Sequence, residues 1–230
     1  MNYVQIPTGQ GQTMKALYVA AADKNAPGLV LIQEIFGING AMQKLAQYWA
    51  AQGFNVICPD LFWRQEPGLE LNPTNQTQFA LGVELMQNMQ DSETLADLEA
   101  TRSFLAKQIG HQNIAAQGYC MGGRLVVLMA AHSPIRCAIS YYGVGLQDLL
   151  PTLPAKAAPT LLHIAELDHY VPSDVRKVIE ANVAERAEWE VVLHEGCDHA
   201  FARPGGVHFV ESAAQQANAQ SLAFLQRFTA

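Results

Sequence analysis

Basic residues are scarce in this chain. Lysine and arginine total 14 against 21 aspartate and glutamate, a formal charge of −7 over 230 residues. No block of Lys and Arg occurs, so a nucleic-acid partner is not expected, because phosphate binding needs clustered cations. No apolar run approaches the ~20 residues that span a bilayer, and the start, MNYVQIPTGQ, lacks the basic and apolar regions of a signal peptide. A membrane role is excluded on this reading, and a cytoplasmic protein is expected. Cysteine is sparse too. Cys58, Cys120, Cys137 and Cys197 form no C-x-x-C pair, which argues against structural zinc, and a cytosolic chain of this size is not expected to hold disulfides. Internal repeats and low-complexity linkers are absent. A single domain over 1–230 is the expectation, since half of the residues are hydrophobic and can fill one core.

What is present is an alternation of short apolar runs with helical patterns. Strands are predicted at Ala16–Ala20, Leu29–Gln33, Asn55–Pro59, Ile114–Gly118, Cys137–Tyr142, Thr160–Ala165 and Glu190–His194. Several are continuous, such as LVLI and CAISYY, as strands covered on both faces require. Helices are predicted over Ala41–Gln52, after Asn72-Pro73, after Asp91-Ser92, and over Gly122–Ala131, Pro172–Arg186 and Val207–Phe228. The class is α/β, with a mostly parallel sheet flanked by helices. The connection Leu61–Gln78 is long enough to fold over a site.

One turn carries chemistry. GYCMGG, Gly118 to Gly123, lies where a strand meets a helix and reads as G-x-C-x-G, the cysteine form of a nucleophile elbow. The glycines on either side of Cys120 relieve crowding between strand and helix, and Gly123 lets the helix come closer still. The helix N-terminus aims its free N–H groups at the sulfur, and the Met121 N–H is a natural oxyanion donor. The plainer reading is an inert cysteine in a glycine-rich turn. A thiol nucleophile also needs a histidine, and that histidine an acid, in the order nucleophile, acid, histidine. After TLLHIA, Glu166 and Asp168 compete as the acid. Asp168, just before Val171-Pro172, is favoured, although it could serve only as a turn cap. After the last strand, His199 has the expected place. The other histidines, including His163 within a strand and His194 at a strand end, fit less well.

With these residues placed, the sequence resembles the dienelactone hydrolase family over nearly its whole length. The blocks QEIFGIN (33–39), CPDLFWRQEPG (58–68), GYCMGG, SYYGVG (140–145), DHYVP (168–172) and HAFAR (199–203) carry the likeness. It implies a compact α/β-hydrolase fold, a triad of Cys120, Asp168 and His199, and hydrolysis of an ester or lactone without cofactor or metal. It also implies that Glu34 contacts the resting thiol until substrate displaces it. The alternative for Glu34 is a salt bridge to Arg203 or Arg64. Ile35 matches the second oxyanion donor. Arg203 matches an arginine that binds the substrate carboxylate, and Tyr142 lies in a matching substrate-binding block. Phe79 stands where the family has a second arginine, Ala200 replaces a serine, and Met86 replaces a tryptophan. These departures make the pocket less cationic and more apolar. Two other readings stay open: an esterase or thioesterase for a less anionic substrate, and a thiol redox sensor on the same scaffold. The expected partner is a small ester or lactone. A monomer is expected.

Overall fold

The computed structural model describes residues 2–230. Its contacts divide into two compact units, Met1–Ile114 and Ala115–Ala230. The first contains β1 (Asn2–Pro7), β2 (Thr13–Val19), β3 (Gly28–Ile32), α1 (Gly40–Ala51), β4 (Asn55–Pro59), α2 (Gln76–Gln87) and α3 (Asp91–Ile109). β1 pairs with β2 and β2 with β4 antiparallel, whereas β3 and β4 run parallel. α1 lies against β2 and β4, and α3 lies against β1, β3 and β4. Every residue of β3 and β4 is buried, which explains their continuous apolar runs.

The second unit contains β5 (Ile114–Tyr119), α4 (Met121–His132), β6 (Ala138–Tyr141), α5 (Leu146–Leu149), β7 (Thr160–Ala165), α6 (Ser173–Ala184), β8 (Trp189–His194) and α7 (Glu211–Thr229). β5, β6, β7 and β8 lie side by side in that order, all parallel. Parallel neighbours need a crossover connection, and α4, α6 and the 142–159 segment supply them. The strand carboxyl ends therefore share one edge, where the loops after β5, β7 and β8 emerge.

The expected strands and helices are present, with shifted ends and two additions. β1 gives little sequence signal because NYVQIP mixes polar and apolar residues and ends in proline; as an outer strand it buries only Ile6 fully and is held by its pairing with β2. α5 is a single turn, too short for a periodic signal. Two expected starts are corrected. Asn72-Pro73 does not open a helix: the Asn72 carboxamide closes a local turn onto the Thr74 N–H, and Asn75 caps α2 by accepting from the Gln78 N–H at 3.1 Å. α7 begins at Glu211 rather than Val207, because 207–210 continues as a loop whose Val210 N–H bonds the Phe201 carbonyl.

The 61–78 connection is anchored within its own unit. The Asp60 carboxylate accepts from Phe62 and Gly68 N–H groups, and the Leu71 N–H bonds the Phe36 carbonyl. Arg64 grips the buried Asp97 carboxylate of α3 with both terminal nitrogens, and the Trp63 indole N–H donates to it at 2.9 Å.

Candidate active site

The site is built on the loops after β5, β7 and β8. Cys120 stands between the last residue of β5 and the first of α4 at φ 55°, ψ −115°. A side chain there is strained, and such strain persists only where the surroundings fix it. They do: the Cys120 N–H bonds the Tyr141 carbonyl at 3.0 Å, while its own carbonyl accepts from Arg124 and Val144. The glycines are required by distance. A Cβ on Gly118 would sit 2.1 Å from the Gly122 carbonyl oxygen, and one on Gly123 would sit 2.7 Å from Gly143 Cα. The Met121 N–H opens α4, where no preceding turn provides an acceptor.

In the loop after β7 the two candidate acids are placed differently. Asp168 is 2% exposed; Oδ1 accepts the Tyr170 N–H at 2.9 Å, and Oδ2 lies 2.7 Å from His199 Nδ1. Glu166 instead accepts the Gly196 N–H, out in solvent. Asp198, adjacent to the histidine, accepts the His199 backbone N–H with one oxygen and faces His208 with the other, so it does not reach the ring.

His199 is thus held at Nδ1 with Nε2 directed elsewhere. Nε2 is buried with no partner in strict hydrogen-bond geometry. The Cys120 side chain is nevertheless close enough to act on the ring as a loose partner. Catalytic hydrogen bonds often tighten only when substrate is bound. Burial by itself would lower the imidazole pKa, but the bond to Asp168 and then the Cys120 side chain outweigh it and raise the value to about 10. The arrangement favours an imidazolium between two acidic groups.

Aromatic rings flank the imidazole. Tyr142, at φ 39°, lies 5.0 Å from it, ring centre to ring centre, and its backbone N–H is held by the His163 carbonyl. Tyr170 lies 4.9 Å away at 71°. Sequence reasoning gave Tyr170 no role, although its place two residues after the acid within DHYVP was a usable signal. Burial, then Cys120 and Asp168, raise the Tyr170 pKa, whereas Arg203 lowers it. The buried Arg203 guanidinium is therefore within electrostatic reach of this phenol. Ala200, at φ 66°, is a further strained residue that the sequence did not disclose.

The other residues singled out from sequence belong to the first unit. Glu34 is a buried carboxylate just beyond β3, followed by the buried Ile35. Phe79, on α2, packs its ring 5.9 Å from that of Phe36. Both terminal nitrogens of Arg64 bond the Asp97 carboxylate. Among the described residues, no group of three His, Cys, Asp or Glu side chains is placed to hold a metal. Among the described residues no helix is long and apolar enough to cross a membrane.

The model of the dienelactone hydrolase family matches residues 14–229. The chain belongs to the dienelactone hydrolase family. Within that family it is similar to a carboxymethylenebutenolidase of Pseudomonas putida, 35% identical over 223 residues, covering 96% of this chain and 94% of the relative. A protein of Azospirillum brasilense is 39% identical over 230 residues, covering 99% of each chain. Among solved structures, one named as a dienelactone hydrolase of Klebsiella pneumoniae superposes with a TM-score of 0.85 at 28% identity, covering 99% of this chain and 98% of that one. The α/β-hydrolase fold and a carboxymethylenebutenolidase-type hydrolase follow from these matches.

Proposed function

We propose that the chain hydrolyses a carboxylic ester or lactone through Cys120, His199 and Asp168. The observation that carries this reading is the His199 ring, bonded through Nδ1 to Asp168 at 2.7 Å while Cys120 acts on it from the strained elbow. His199 takes the thiol proton, and Sγ attacks the acyl carbon. The oxyanion that forms is stabilised by the Met121 N–H and, by family likeness, by that of Ile35. Nε2–H then protonates the departing alkoxide, leaving a thioester. His199 next removes a proton from water, water attacks the thioester, and Sγ leaves as the free acid forms. Asp168 holds the ring in one orientation throughout. The role of Glu34 as resting partner of the thiol, and those of Arg203, Tyr142 and Phe79 toward substrate, are part of the same proposal.

Support for a less anionic substrate comes from Phe79. Its ring packs on Phe36, an apolar contact where the family resemblance places an arginine. The reading treats both units as one hydrolase domain acting as a monomer, because the family model runs across both. It places the protein in the cytoplasm, since the four cysteines are buried and unpaired, as a reducing compartment allows.

The test is turnover of dienelactone, followed by its ultraviolet absorbance, and of a neutral p-nitrophenyl ester. Both are measured with the native protein and with Cys120→Ala. Hydrolysis by the native protein alone supports the triad, and faster turnover of the neutral ester supports the apolar pocket. Equal turnover by Cys120→Ala removes Cys120 as nucleophile.

A further inference from the structure

A pair of bonded histidines lies on the two strands that lead into the loops of Asp168 and His199. His163, on β7, is fully buried, and its Nδ1 is 2.9 Å from Nε2 of the buried His194 at the end of β8. His163 Nε2 is 2.9 Å from Ser221 Oγ on α7. Ser221 Oγ is 2.8 Å from the Tyr141 hydroxyl, which donates to Asn218 Oδ1 at 2.9 Å. The proton positions along this chain follow from its last acceptor. A carboxamide oxygen only accepts, so the Tyr141 proton goes to Asn218. Ser221 must then donate to Tyr141, and His163 Nε2–H to Ser221. A neutral His163 is left with Nδ1 as an acceptor, and His194 Nε2–H donates to it. Every link is used once and in one direction. Burial, and then His194, keep the His163 pKa well below the ordinary value, and burial lowers that of His194, so both rings stay neutral as this order requires.

We propose that His163 and His194 are positioning residues that set the acid and histidine loops of the candidate site relative to each other. This rests on the catalytic reading of Asp168 and His199. Each histidine precedes one of those residues by five positions, on adjacent parallel strands. Their backbones hold the same loops. The His194 carbonyl accepts from Glu166, two residues before Asp168, and from Cys197, two before His199. The His163 carbonyl fixes Tyr142 beside the His199 ring. The His194 ring packs 4.5 Å from Phe201, two residues beyond His199. Side-chain bonding within the pair thus ties together two strand ends whose loops must meet to within the 2.7 Å of the Asp168–His199 bond. Without the link, β7 and β8 are still paired through their backbones, but their ends lose the side-chain bond that joins them.

The test compares His194→Leu, which removes the donor but keeps bulk, with His194→Gln, which offers an amide N–H in its place, and with Ser221→Ala. Two readouts are used: kcat and KM on the ester the native protein turns over, and the low-field proton resonance of His199 Nδ1–H. A loop displacement of up to about 1 Å predicts kcat about ten- to a hundredfold lower for His194→Leu, with KM unchanged. The resonance should shift or broaden, and His194→Gln should restore both. Ser221→Ala should move both readouts in the direction of His194→Leu. Native kcat and an unmoved resonance in His194→Leu and Ser221→Ala would overturn the proposal. So would a His194→Gln protein as impaired as His194→Leu, since packing alone would then explain the loss. If His194→Leu fails to fold, Ser221→Ala decides by the same criteria. The resonance needs no turnover, so it tests the positioning role even if Cys120→Ala retains activity and the catalytic reading falls.

Discussion

Replacing Gly118 with alanine tests whether the elbow is as tight as the geometry requires. The new Cβ would lie 2.1 Å from the Gly122 carbonyl oxygen, close to 1 Å short of the 3.0 Å below which such contacts essentially never occur. The obstacle is backbone in the first turn of α4, so no side chain can swing aside. β5 and α4 must separate by roughly that distance, and Cys120 lies between them. Overpacking of this kind costs about 1–3 kcal/mol. For a chain of this size that lowers Tm by roughly 2–12 °C. A nucleophile displaced by about 1 Å loses about a hundredfold in kcat. The assay is ester hydrolysis with a thermal melt on the same preparation. Gly9→Ala is the control, because a Cβ there meets nothing within 4 Å. A Gly118→Ala protein with native kcat and native Tm would refute the argument that steric exclusion at this glycine shapes the elbow.

Other outcomes follow from the same site. Asp168→Asn should lower kcat by about 10³- to 10⁴-fold, as loss of an orienting carboxylate does in such triads. Glu166→Gln, at an exposed loop contact, should change kcat little; the reverse ranking would exchange their roles. Urea unfolding across pH should show opposing slopes. The folded pKa values of His163 and His194 lie below 6.5, so the unfolded chain binds more protons as pH falls, and stability should drop below pH 6.5 by up to about 1.4 kcal/mol per pH unit for each ring. The His199 pKa is raised to about 10, so its contribution is complete below pH 6.5 and should be lost as pH rises toward 10. A flat profile from pH 4 to 10 would contradict both. Asp97→Ala removes the buried anchor of Arg64 and Trp63 and should destabilise the fold by about 2–4 kcal/mol, discounted because Arg64 is partly exposed. Native urea stability in that variant would show that the 61–78 segment is held by other means.

Much of the site was legible because its signals are local. The elbow places two glycines and a cysteine within five residues, and each follows from a steric conflict between atoms close in sequence. The candidate acid and histidine are legible from chain order, each a few residues after a strand. The sequence does not separate Asp168 from Glu166, since both carboxylates sit in one loop and no local pattern says which reaches the His199 ring. The outer strand β1 and the cap at Asn75 are hard to read for a related reason. An outer strand needs little hydrophobicity when its neighbour supplies the pairing, and a residue that looks like a cap competes with another three positions on.

By itself the sequence determined the α/β alternation, the fully buried strands, the cysteine elbow and the order of the candidate triad. These depend on side-chain volume, hydrophobic period and backbone freedom, all of which act over a few residues. Only the tertiary structure decided which carboxylate meets His199, that Tyr142 and Tyr170 flank its ring, and that His163 and His194 bond each other. Those outcomes depend on distances between strand ends far apart in the chain, and such distances are fixed by parallel pairing and by the packing of α7 rather than by any local pattern.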